Sequence, residues 1–152
     1  MGGVYMKLTK IATISLLSLI MLTGCGSSFD ISPSTIQNYA DSNSGQYANV
    51  TSDYSNYSYV EGVYVAETGD VHIELWDLDS IENASAWYKT NVEDLKENAS
   101  SYSGSSNSKG GNYTIKTKDD YYRILFSKDK GVYAYGEKDA VESALKDMNI
   151  SD

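Results

Sequence analysis

Residues 59–78 read Tyr-Val-Glu-Gly-Val-Tyr-Val-Ala-Glu-Thr-Gly-Asp-Val-His-Ile-Glu-Leu-Trp-Asp-Leu. Two runs rich in β-branched and aromatic residues, 59–67 and 71–78, flank Thr68-Gly69-Asp70, where glycine supplies the backbone freedom of a tight turn. The stretch predicts an antiparallel hairpin. In its second strand Val71, Ile73 and Leu75 alternate with His72, Glu74 and Trp76. A period of two sends the first set to the core, and Val63 and Val65 are expected to join it from the partner strand.

The flanking segments give the fold class. Asp79 and Glu82 fit a capping box that starts a helix. Ile81, Ala84, Tyr88, Val92, Leu95 and Ala99 then recur three or four apart as one apolar stripe, with Trp87 on its edge. Residues 100–111 are rich in Ser, Gly and Asn, and read as a flexible loop inside one domain. Short strands are expected over 113–117, 121–127 and 132–136, joined by turns at Asp119-Asp120 and 128–131. A last helix over 138–149 carries Val141, Ala144, Leu145 and Met148. Upstream, Ser32 and Pro33 open a helix bearing Ile36, Tyr39 and Ala40, and a short strand follows near 47–51.

This order, with short connections, predicts an α+β fold. It is a two-layer sandwich in which an antiparallel sheet of about five strands carries two or three helices. Hairpin followed by helix occurs twice, over 59–99 and 113–149, as a degenerate repeat.

The start of the chain carries an address. Residues 11–22 form an apolar run behind Lys7 and Lys10, with Met6 a second candidate start. A membrane-spanning helix needs roughly 20 apolar residues, and a basic start with a shorter apolar run describes a secretory signal instead. Leu22-Thr23-Gly24-Cys25 resembles the bacterial lipobox. That resemblance implies cleavage before Cys25 and a diacylglycerol on its thiol. The chain then divides into a signal peptide at 1–24, a lipidated tether at 25–31 and a single domain at 32–152. One acyl chain, at ~0.8 kcal/mol per buried CH₂, holds a protein only marginally, so both chains are needed for a lasting anchor.

Composition excludes several functions. The formal net charge is −9, from 12 basic and 21 acidic residues. Lys7 and Lys10 belong to the signal, so the remainder is more acidic still. Nucleic-acid binding draws its affinity from Lys and Arg against phosphates, and this chain does not supply them. Adhesion to anionic lipid is disfavoured for the same reason. Cys25 is the only cysteine, which removes any disulfide framework or thiolate metal site.

No catalytic set emerges. His72, the only histidine, lies on the polar phase of a strand near Asp70 and Asp77 and reads as a solvent-facing strand residue rather than the base of a Ser-His-Asp triad, and no Gly-x-Ser-x-Gly elbow is present. Asp77-x-Asp79-x-x-Glu82 lacks the glycine and the later acidic ligand of a calcium loop. Gly110-Gly111 lacks the helix and lysine of a phosphate cradle. No metal or cofactor is expected. Acidic residues are abundant, but none is singled out as a pair for glycoside hydrolysis.

The segments SYVEGVYVAE (58–67), IELWDLDSIENASAWY (73–88), GNYTIKTKDDYYRILF (111–126) and GVYAYGEKDAVESALKDM (131–148) resemble a group of small lipoproteins of Gram-positive bacteria. There a similar domain follows a lipobox. The resemblance implies a fold and an address, and brings no catalytic residue with it.

One feature points to binding. With Val65, Ile73, Ile124 and Val132 facing inward, Tyr64, Trp76, Tyr121, Arg123, Tyr133 and Tyr135 are expected on the opposite sheet face. Aromatics beside an arginine suit stacking on sugars or docking of a protein. The sequence thus reads as a lipid-anchored envelope lipoprotein on the extracytoplasmic side of the cell membrane. It is a non-catalytic binding module for an envelope protein or glycan. The alternatives are an envelope hydrolase working through Asp or Glu residues, and a structural lipoprotein with no specific ligand. Replacing Cys25 by Ser should release the protein to the medium or leave it unprocessed; unchanged membrane fractionation would overturn the anchor.

Overall fold

The computed structural model describes residues 28–150; the signal at 1–24, together with Cys25, Gly26 and Ser27, lies outside the described residues. In chain order the elements are α1 (Pro33–Ser42), β1 (Gln46–Asn49), a 3₁₀ turn (Thr51–Tyr54), β2 (Val60–Glu67), β3 (Val71–Leu78) and α2 (Ile81–Lys96). There follow β4 (Ser101–Ser106), β5 (Gly110–Lys116), β6 (Tyr121–Ser127), β7 (Lys130–Gly136) and α3 (Lys138–Asp147). All strands join one antiparallel 7-stranded sheet in the order β1-β2-β3-β7-β6-β5-β4. The fold is α+β, with more strands than the five expected. No helix among the described residues is long and apolar enough to cross a membrane.

The chain builds the sheet as two halves. Helix α1 leads the meander β1-β2-β3, and α2 leads β4-β5-β6-β7. The last strands of the two meanders, β3 and β7, pair along the middle from Val71↔Gly136 to Asp77↔Lys130. A helix thus leads each meander, and the expected succession of hairpin and helix also occurs twice, as β2-β3-α2 and β6-β7-α3.

Helices flank both faces. On one, Ile36 and Ala40 of α1 and Val141 and Leu145 of α3 pack with Ile73, Leu75, Leu125 and Val132. On the other, Ala84, Tyr88 and Val92 of α2 pack with Ile115, Ile124 and Phe126. The sandwich has three layers, not two. Strand β6 explains why: Ile124, Leu125 and Phe126 are consecutive and fully buried. Consecutive strand residues point to opposite faces, so an unbroken apolar run needs cover on both.

Four local expectations change. Residues 100–111 are not a loop but most of the β4–β5 hairpin. The Asn107 N–H donates to the Gly110 carbonyl at 2.9 Å, and Asn107 Oδ1 accepts from the Lys109 N–H at 2.8 Å. Its Ser/Gly composition belongs to an edge strand exposed on both sides. Helix α2 is capped by Ser80, whose Oγ accepts from the Asn83 N–H at 3.3 Å. Asp79 buttresses that cap, accepting from the Ser80 hydroxyl at 2.9 Å and the Asn83 side-chain amide at 2.7 Å. In β2 an irregularity between Val60 and Gly62 resets the phase, so that Tyr64 and Ala66, not Val63 and Val65, lie opposite Leu75 and Ile73. Phe29 and Ile31, expected in the tether, are buried in the α1–α3 core.

Gly131 shows how closely α2 seats. It pairs with Trp76 across β3–β7, and a Cβ there would run into the indole of Trp87. Gly131→Ala should cost about 1–3 kcal/mol by overpacking, seen as a lower urea midpoint. An unchanged midpoint would mean that α2 does not rest on β7.

Candidate functional site

Three helices cover three quadrants of the sheet. On one face α1 lies over β1–β3 and α3 over β6 and β7; on the other, α2 lies chiefly over β5–β7. The fourth quadrant, the second face of β1–β3 and the adjoining part of β7, has no helix of its own. The 3₁₀ turn packs there, setting the ring of Tyr54 edge-on to Trp76 with centroids 4.6 Å apart, and α2 reaches the edge of the region through Trp87.

Strand register brings His72, Glu74 and Trp76 of β3 beside Tyr133 and Tyr135 of β7. Val65 and Glu67 of β2 lie on one flank and Tyr122 of β6 on the other. Glu74 is clamped by its own strand. Its Oε1 lies 2.9 Å from His72 Nε2, and its Oε2 accepts from Trp76 Nε1–H at 2.7 Å. Residues two apart on a strand share a face, so His-x-Glu-x-Trp closes this network without a turn.

The rings form one tract. His72 lies 4.8 Å from Tyr135, Tyr135 stacks on Tyr122 at 5.5 Å, and Tyr133 meets both edge-on at 6.1 and 6.0 Å. Trp76 extends the tract to Trp87 at 5.7 Å. Burial pushes the Tyr133 phenol far above its ordinary value, and the neighbouring Tyr122 and Glu74 add to the shift. Tyr135 is raised by burial and then by Glu74, Glu67 and Asp120. The quadrant therefore combines neutral phenols with a negative potential. By register and sequence, no Lys or Arg points to this face from β1, β2, β3, β6 or β7.

The six residues expected on one binding face divide equally between two. Trp76, Tyr133 and Tyr135 line the open quadrant. Tyr64, Tyr121 and Arg123 lie on the opposite face, against the α1–α3 core. The difference is one of phase. The expectation groups Val65 and Ile124 with Ile73 and Val132, whereas Val65 pairs with Glu74 and Ile124 with Tyr133.

Arg123 is 4% exposed and serves the fold. Its Nη1 donates to both oxygens of Glu142 on α3 at 2.7 and 2.8 Å, and its Nη2 donates to Asn112 Oδ1 at 2.9 Å. The Tyr121 hydroxyl donates to the same Glu142 carboxylate. This bidentate pair fastens α3 to the sheet. No local spacing announces Glu142 or Asn112 as its partners. His72 and Glu74, missed as lining residues, did carry a signal: they share the strand phase of Trp76.

Elsewhere, a cleft of about 270 Å³ lies between α1, α3 and the β2–β3 turn, lined by Tyr39, Asn43, Asp70, Ser143 and Asp147 among others. Among the described residues, no group of three or more His, Cys, Asp or Glu could hold a metal ion.

No family model matches this chain, nor does any curated protein. A crystal structure of a GTP binding regulator from Thermotoga maritima matches with a TM-score of 0.50 at 18% identity, covering 78% of this chain and 84% of that one. The likeness is one of fold.

The half-buried Tyr133 phenol gives the fold an alkaline limit. An unfolded tyrosine loses its proton near pH 10, while folded Tyr133 keeps its proton to higher pH. Stability from this group is full below that value and falls as pH rises through the interval between the two. Tyr133→Phe should flatten the fall in urea midpoint measured from about pH 9 to about pH 11. An equal fall in both proteins would refute the assignment.

Proposed function

We propose that this chain is a lipid-anchored binding module of the cell envelope. Cys25 holds it to the outer side of the cytoplasmic membrane, and the open quadrant docks an envelope protein or glycan without catalysing a reaction. The observation that carries the docking is the sheet face with no helix of its own, edged by α2, where Trp76, Tyr133 and Tyr135 gather with His72 and Glu74. Tyr and Trp give large contact area at small conformational cost and offer both apolar faces and polar tips. The basic start, apolar run and Leu-Thr-Gly-Cys of the first 25 residues support the address. The resemblance to small Gram-positive lipoproteins is part of the same proposal.

The half-buried carboxylates favour binding over hydrolysis. Glu74 is held by His72 and Trp76, Asp77 by Lys130 at 2.6 Å, and Glu142 by Arg123. A glycosidase needs two carboxyl groups facing each other across a substrate bond, and these three are engaged by their own neighbours. The GTP binding in the name of the Thermotoga protein does not extend to this chain. It has no Gly-x-x-x-x-Gly-Lys-Ser/Thr loop, and Gly110-Gly111 open a strand rather than a helix.

A photo-crosslinking amino acid placed at Tyr135 in the anchored protein should give discrete adducts in the cells that make it. The same group placed at Asp41, on the exposed side of α1, should give none. Adducts from neither position would favour a structural lipoprotein, and equal adducts from both would remove the open quadrant as the docking site.

A further inference from the structure

We infer that the occupant of the open quadrant is a basic segment of a partner protein, one that lays Arg or Lys side chains over the Tyr122–Tyr135 pair. The inference rests on the docking reading above and names the chemistry of its partner.

The structure contains its own precedent. On the same sheet face, Tyr102 and Tyr113 stack with centroids 6.2 Å and planes 29° apart. Lys96, at the end of α2, sets its ammonium 4.9 and 4.3 Å from those two ring centroids. Tyr122 and Tyr135 stack in nearly the same way, at 5.5 Å and 26°. Helix α2 supplies a lysine to the first pair, whereas the strands around the second supply neither Lys nor Arg, and the His72 ring beside Tyr135 is engaged by Glu74. A positive group over an aromatic face is attracted by the ring's quadrupole, more strongly once water is displaced.

The surrounding charge has the matching sign. Glu67, Glu74 and Asp120 all act on the Tyr135 phenol in the direction of negative potential. An incoming cation meets carboxylates at the rim and rings at the centre, an arrangement that steers a basic partner and repels acidic ones. Shape decides between a protein segment and a small amine. Small-molecule sites are concave, whereas this surface is the open face of a sheet. The other quadrants are each covered by a polypeptide segment of this chain, and a segment of another chain fits the fourth.

The test uses the full chain in a non-ionic detergent and a fluorescein-labelled arginine–alanine decapeptide, read by fluorescence anisotropy. Binding is expected, with Tyr135→Ala and Glu67→Gln each weakening it about fivefold. Glu67 is exposed, so its replacement leaves the core intact. Asp41→Asn, on the far face, should leave affinity unchanged. A matching glutamine–alanine peptide and chitohexaose should fail to compete. An equal loss with Asp41→Asn would mean attraction by net charge alone and would overturn the inference. Competition by the neutral peptide or by the sugar would also overturn it, while leaving the quadrant a docking site. No binding of the basic peptide refutes the partner's chemistry; the docking itself stands or falls on the crosslinks from position 135.

Discussion

The pairing of β3 with β7 is the constraint on which the rest of the molecule depends. It is the one seam between the two meanders, and both of its ends are pinned. At one end Lys130 donates to Asp77 across the pair at 2.6 Å. At the other, Gly136 adopts φ 142°, where any side chain would collide with the Asp70 carbonyl, and the Glu137 N–H donates to that same carbonyl at 3.3 Å. A slip of one residue would turn Val71, Ile73 and Leu75 away from α1 and α3. Burying each large aliphatic side chain is worth about 1.5–3 kcal/mol, so the register is strongly enforced.

The two sides of that seam are unlike. One side is Val71, Ile73, Leu75, Val132 and Ala134, all buried. The other is His72, Glu74, Trp76, Tyr133 and Tyr135, which are only partly covered. Two of the 14 tyrosines, Tyr133 and Tyr135, lie on the half-covered side, in a chain with only two phenylalanines. Both phenylalanines, Phe29 and Phe126, are buried, where a hydroxyl would require a partner. A half-covered sheet face suits tyrosine, which can bury its ring and keep its oxygen in water.

Much of this was legible in the sequence because it is local. The hairpin around Thr68-Gly69-Asp70, the stripe along α2 and the apolar spacing in α3 depend on neighbours within a few residues. Which faces are covered is not local. It turns on Ile124-Leu125-Phe126, whose lack of alternation marks a strand buried on both sides. A small irregularity near Gly62 then shifts the phase of β2, and with it the side on which Tyr64 falls. Composition misleads at 101–106, where Ser and Gly suggest a loop but pairing with β5 makes a strand. Tertiary pairing overrides weak propensity there. The Arg123–Glu142 bond joins residues 19 apart, and no sequence period predicts it.

The burial of Phe29 fixes the face on which the chain joins the domain. Only three residues separate Phe29 from Cys25, four Cα–Cα steps with a reach of about 14 Å when fully extended. Phe29 and Ile31 sit in the α1–α3 core, and Asp30 between them acts on Lys130 at the foot of the seam. The chain thus leaves the domain on the face opposite the aromatic quadrant, and at the end of β7 remote from Tyr135. Were Cys25 the lipid anchor proposed above, so short a leash would turn the α1–α3 side of the domain toward the bilayer, and the rings of Tyr122 and Tyr135 would face away from it.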